Sequence, residues 1–135
     1  MRRRNFIAVV AALGLLTASG CTRSEGGPRE LSVEELTTML EGSRPVAVFD
    51  ANGGKVRSEY GIIPGAALLD DAGGYDIGKL PDDKATPCVF YCSSTWCSAA
   101  RTAALRAKSA GYGEVAVLPV GIKGWKAAGR QTESL

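Results

Sequence analysis

Four cysteines, Cys21, Cys88, Cys92 and Cys97, are the nucleophiles of this 135-residue chain, and it holds no histidine. That absence excludes a Ser-His-Asp or Cys-His pair and imidazole metal ligands. Chemistry must therefore run on thiol, carboxylate, amine, hydroxyl or backbone groups. Cys92 closes the apolar run CVFYC, and a helical pattern begins about six residues later. A loop running from a strand into a helix N-terminus gathers backbone N–H groups that have no partner. With the helix dipole, these favour an anion at the loop centre. A Cys92 thiolate there would have a lowered pKa and be nucleophilic at neutral pH. The same N–H groups, with the hydroxyls of Ser93, Ser94, Thr95 and Ser98, could hold the outer sulfur of a persulfide or a substrate oxyanion.

Cys97 admits two roles. It could be a resolving thiol that attacks a Cys92 persulfide or sulfenic acid to give a reversible disulfide, which in an oxidising compartment could be the resting state. It could equally be a small buried residue in the first helical turn. A Cα separation within about 7 Å decides between them. Cys88 shares a strand face with Cys92 but lies about 13 Å away at about 3.3 Å per residue, so it is expected in the core, unpaired. Three thiols without histidine do not make a zinc site, and no metal or cofactor is expected. Trp96 either lines a substrate entrance or shields the loop.

The elements that position these residues follow from pattern. Ser32 and Glu35 form a capping box ahead of a helix with Val33, Leu36, Met39 and Leu40 on its apolar face, ended by Gly42. PVAVFD, CVFYC (88–92) and VAVLP (115–119) are continuous apolar runs, which suit strands of a parallel sheet buried on both faces. Between the last two, SAARTAALRAKSAGYG is alanine-rich and stops at Gly111, completing a right-handed βαβ unit. GIKGWKAAG closes the domain as a short helix with Trp125 in the core. The fold class is α/β, a central mostly parallel sheet flanked by helices on both faces. Lys55, Arg57 and Glu59 look like a solvated helix face from which Arg57 could reach the loop. Asp50 could orient the loop through backbone N–H groups or cap the next helix.

The chain starts with an address. Arg2-Arg3-Arg4 precedes an apolar run from Phe6 to Ala18, which as a helix is about 20 Å long, short of the roughly 30 Å hydrocarbon core. This pattern suits a secretory signal peptide. It ends in Ala18-Ser19-Gly20-Cys21, which resembles a bacterial lipobox with Cys21 as the lipidated residue. Residues 1–20 are thus expected to be a lipoprotein-type signal peptide, 21–30 a flexible tether, 31–130 the domain and 131–135 a C-terminal tail. Several acyl chains on Cys21 would anchor the protein to a membrane at the cell envelope, facing the periplasm or exterior. With Thr22 after the cysteine, the outer membrane is favoured if the cell is Gram-negative. Without Arg2–Arg4, 13 of the 16 basic residues face 14 acidic ones, so no electrostatic footprint for nucleic acid exists. No GxGxxG or GxxxxGK[ST] supports nucleotide binding.

From Val48 to Gly129 the chain resembles a rhodanese (thiosulfate sulfurtransferase-like) domain, through VFDAN, EYGIIPGA, VFYC with its loop, AGYGEVAVL and GIKGW. The resemblance implies that Cys92 accepts sulfane sulfur, that Asp50 lies near the site and that the turn at Pro64-Gly65-Ala66 closes one side of the sheet. Six residues from Cys92 to Cys97 match the loop length of sulfurtransferase members. Relatives acting on phosphate or arsenate carry CxxxxxR, where this chain has Ser98. Where common rhodaneses have Asp-x-Arg, a turn histidine and basic loop residues, this chain has Asp50-Ala51-Asn52, Ile62, Ser93 and Cys97. Lacking a cation in the loop, it is expected to hold thiosulfate weakly. The expected function is persulfide formation at Cys92 and sulfur transfer to a small sulfur compound or protein thiol. The alternatives are a Cys92/Cys97 thiol–disulfide protein and a non-catalytic binding domain.

Overall fold

The computed structural model describes residues 26–135; the signal-peptide segment and Cys21 lie outside the described residues. Ten short elements follow in order: β1 (Arg29–Glu30), α1 (Val33–Glu41), β2 (Ala47–Asp50), α2 (Gly54–Tyr60), β3 (Ala67–Leu68), a 3-10 turn (Ile77–Lys79), β4 (Cys88–Tyr91), α3 (Ala99–Ser109), β5 (Val115–Leu118) and α4 (Gly121–Ala127). The strands form one parallel sheet in the order β1-β5-β4-β2-β3. The expected α/β architecture is thus present. All four residues of β4 and of β5 are buried, as continuous apolar runs require when helices cover both faces.

Period-two alternation divides the core into two layers. Phe49, Cys88, Phe90, Cys92 and Val117 face α3, while Val48, Val89, Tyr91 and Leu118 face Leu36 of α1 and Ile122 and Trp125 of α4. α3 buries Ala100, Ala103, Ala104 and Ala107, one stripe at helical spacing whose small side chains let the helix lie close to the sheet. Gly111, at φ +95°, ends the turn after it. The capping box of α1 is formed in both directions, Ser32 Oγ accepting from Glu35 N at 3.1 Å and Glu35 Oε2 from Ser32 N at 2.8 Å.

Two strands escape the hydrophobic pattern. β1 and β3 are two residues each, too short for periodicity, and β1 occupies positions read as the end of the tether. Leu31 N donates to Val117 O at 2.9 Å and continues the β1 ladder. The C-terminal tail is tied back by an antiparallel bridge between Ile62 and Glu133.

Arg57 departs most from expectation. It is not on a solvated face: it is 7% exposed, and it makes no hydrogen bond to the 92–98 loop. Its Nε donates to Asp50 Oδ1 at 3.1 Å and its Nη2 to the carbonyls of Asp50 and Leu69 at 3.0 and 2.8 Å. Tyr91 Oη donates to Asp50 Oδ2 at 2.6 Å and accepts from Ile63 N at 3.0 Å. Burial first, then the bond to Asp50, holds the Tyr91 phenol above its ordinary pKa, so it stays the donor. This network ties the ends of β2, β3 and β4 together next to Cys92. Arg57→Met would leave the Asp50 carboxylate buried without its cation, costing about 3–5 kcal/mol. The exposed Arg44–Glu114 pair is worth less than about 1 kcal/mol. Urea unfolding of Arg57→Met and Arg44→Met is expected to show that contrast; equal losses would contradict it.

Candidate functional site

β4 ends at Tyr91 and delivers Cys92 to the C-terminal edge of the sheet, 3% exposed and in the α3-facing layer. The loop then runs to Ser98, and α3 begins at Ala99. Cys92 and Cys97 are joined as a disulfide with Cα atoms 6.3 Å apart, inside the limit of about 7 Å. Cys97 N donates to Ser94 O at 3.0 Å.

The start of α4 organises the other loop groups. Ile122 N donates to Cys92 O at 2.9 Å, and Lys123 N to Ser93 O at 3.1 Å. A planar trans peptide points its N–H opposite its carbonyl. With those carbonyls turned to α4, the N–H groups of Ser93 and Ser94 must point away from it, toward the layer that holds the Cys92 sulfur. Among the described residues, the N–H groups of Ser93, Ser94, Thr95 and Trp96 have no protein acceptor. The hydroxyls of Ser93, Ser94, Thr95 and Ser98 likewise make no hydrogen bond among the described residues. Gly121 makes this close approach feasible. Its φ is +62°, and a Cβ there would lie 2.5 Å from Cys92 O and 2.7 Å from Ser93 O.

The remaining expected site residues fall as follows. Asp50 neither orients the loop through its N–H groups nor caps α2, whose N-cap is Gly53 without a side-chain bond. Its Oδ1 accepts from Asn52 N at 2.7 Å, and its reach to the site runs through Tyr91. Trp96 does not shield the loop: it is 96% exposed at the tip. Trp125 is core, its Nε1 donating to Gln131 O at 2.8 Å. Asn52 Nδ2 is buried with no acceptor among the described residues. Cys88 is buried and free, and burial pushes its thiol up to about 11.

Sequence reading missed Gly121, Tyr91 and Arg101 as residues near the loop. Gly121 and Tyr91 make their contacts with neighbours distant in the chain, and only the glycine left a trace, in the spacing of GIKGW. Arg101, in the first turn of α3, lines a 230 Å³ cavity with Glu30, Cys92, Thr95 and Cys97. A cation therefore adjoins the loop, although positions 93–98 hold none. A larger cavity of 470 Å³ opens at the far edge of the sheet, beside Pro87 and Gly113, away from the Cys92–Cys97 pair.

A parallel α/β domain that presents a cysteine pair at a strand-to-helix loop with free amides is a scaffold for thiol chemistry. The chain belongs to the rhodanese-like domain family, which its residues 32–128 match. It is therefore related to sulfurtransferases, a family whose single-domain members also include proteins of other function. The solution structure of a rhodanese-like domain from Anabaena is similar at 22% identity, covering 82% of this chain and 81% of that one with a TM-score of 0.65. A full-length protein from Lactobacillus plantarum is similar at 25% identity over 78% of this chain and 88% of its own, TM-score 0.64. The thiosulfate sulfurtransferase of Pseudomonas aeruginosa is similar at 23% identity over 79% of this chain but 20% of its own, TM-score 0.60. No curated protein sequence matches the chain.

Without reductant, alkylation of the folded protein at pH 8 is expected to spare Cys88, Cys92 and Cys97, since one thiol stays protonated and two are bonded. Guanidinium alone should expose only Cys88 of these three. Peptide mapping that found Cys92 or Cys97 alkylated as well would contradict the disulfide.

Proposed function

We propose that this domain carries sulfane sulfur as a persulfide on Cys92 and passes it to a thiol acceptor. The observation supporting this reading is the run of unoccupied amides from Ser93 to Trp96, of which those of Ser93 and Ser94 are turned away from α4 toward the Cys92 side. They suit an anionic sulfur, as donors preorganised around developing charge do in other active sites.

The cycle starts when a thiol reduces the Cys92–Cys97 bond. The freed Cys92 thiolate attacks the outer sulfur of a sulfane donor R–S–SH. The donor's S–S bond breaks, RS⁻ leaves and Cys92–S–SH forms. An acceptor thiolate R′S⁻ then attacks that outer sulfur, giving R′S–SH and returning the Cys92 thiolate. No redox change occurs beyond the first reduction. Because positions 93–98 lack a cation, donors of low charge suit the loop better than the thiosulfate dianion.

A second reading, thiol–disulfide exchange as the function itself, is favoured by the Cys92–Cys97 bond. The two readings part at Cys97, which sulfur transfer does not require. The location belongs to the same proposal: Arg2–Arg4, the apolar run to Ala18 and the Ala18–Cys21 segment support an envelope lipoprotein lipidated at Cys21.

Reduced protein incubated with thiosulfate or an organic persulfide is expected to gain one sulfur atom on Cys92, read by intact mass and peptide mapping. Cys97→Ser should keep that gain and Cys92→Ser lose it. No gain in the reduced wild type, or a gain that survives Cys92→Ser, would refute persulfide formation at this cysteine.

A further inference from the structure

The cavity beside the disulfide carries two opposite charges that no protein group answers. Glu30 and Arg101 both line it, and among the described residues neither forms an ion pair. Among the same residues their side chains make no hydrogen bond either.

Two different elements bring these exposed residues to the cavity's rim. Glu30 is level with Val117 across the β1–β5 ladder, so it shares the α3 face with Val117 and Cys92. Its neighbour Arg29 takes the opposite face and pairs with Glu35 of α1 at 3.2 Å. Arg101 sits in the first turn of α3, where a cation gains nothing from the helix dipole. Its guanidinium lies against Gly27, so close that any side chain at 27 would collide with it. Helix stability therefore does not account for an arginine at this position.

At 230 Å³ the cavity is below the roughly 300 Å³ at which sites for drug-sized ligands begin. An amino-acid-sized molecule suits it. The wall facing that molecule is the Cys92–Cys97 pair, whose chemistry is exchange with a thiolate.

We infer that this cavity receives an amino-acid thiol, one molecule bearing a carboxylate for Arg101, an ammonium for Glu30 and a sulfur for the disulfide. The inference deepens the proposed function and rests on the Cys92–Cys97 pair exchanging with thiols. The bound thiolate attacks one sulfur of the pair, forming a mixed disulfide and releasing the other cysteine as a thiolate. A second thiolate attacks the mixed disulfide, and the small symmetrical disulfide leaves with both protein cysteines reduced. Two electrons pass from two thiolates to the protein disulfide. The same two charges would then orient an amino-acid thiol as the sulfur acceptor.

The test is the reduction rate of the oxidised protein by four thiols: L-cysteine, cysteamine, 3-mercaptopropionate and 2-mercaptoethanol. The reaction is quenched with acid, alkylated and read on the peptides carrying Cys92 and Cys97. Each variant-to-wild-type ratio is divided by that for mercaptoethanol, which reports any effect on the thiolate alone. An exposed charge pair is worth up to about 1 kcal/mol, about fivefold. Arg101→Gln is expected to slow L-cysteine and mercaptopropionate by about three- to fivefold and not to slow cysteamine. Glu30→Gln is expected to slow L-cysteine and cysteamine by the same factor and not to slow mercaptopropionate. High salt should erase both effects. Ratios equal for all four thiols, or selectivity disturbed in only one variant, would overturn the inference. Sulfur loading of reduced Cys92 is measured separately, so selectivity without loading would sink the persulfide reading alone, and loading without selectivity this one alone.

Discussion

Two hydrogen bonds from the first turn of α4 to the carbonyls of Cys92 and Ser93 fix the orientation of the loop that follows. Peptide planarity does the rest, because a carbonyl turned toward one helix sends the next N–H to the opposite side. Cys92 lies on that opposite side, in the layer beneath α3. The amides are thereby aimed by the backbone and need no charged side chain. This is consistent with a loop, from Ser93 to Ser98, that holds neither lysine nor arginine. Gly121 is the condition for it, since any Cβ would meet the same carbonyl oxygens that α4 engages.

The buried network of Asp50, Arg57 and Tyr91 anchors the other end. Tyr91 immediately precedes Cys92, and its hydroxyl bridges Asp50 of β2 and the Ile63 amide ahead of β3. A buried ion pair of this kind is weak evidence for stability as such, yet costly to break from one side. Its value here is positional: three strand ends are locked in register where the thiol emerges. The disulfide then sets the state of the thiol. While Cys92 is bonded to Cys97 it has no free sulfur to load, so on the proposed function sulfur transfer waits on reduction.

Much of this was legible from residues alone. Continuous apolar runs gave the central strands, the Ser32–Glu35 capping box gave α1, and the alanine-rich stretch ended by Gly111 gave α3. Even spacing correctly set Cys88 on the face of Cys92 yet out of its reach. What escaped depends on neighbours remote in sequence. Lys55, Arg57 and Glu59 look like solvent-facing charges until the Asp50 carboxylate seven residues earlier claims the arginine. Asp50 itself looked local, and its partner proved to be Tyr91 across the sheet. β1 and β3, at two residues each, leave no periodicity to read. Glu30 and Arg101 are brought to one cavity only by the ladder between β1 and β5.

The amide orientation is tested most directly by NMR of the reduced protein. Amide proton shifts of Ser93 to Trp96 would be followed as pH is raised through the ionisation of Cys92, with Cys92→Ala as reference. Hydrogen bonds from these amides to the sulfur predict that several of the four move together as the thiolate forms, and that none does so in Cys92→Ala. Shifts that stayed fixed in the wild type, or moved identically without the sulfur, would contradict the account.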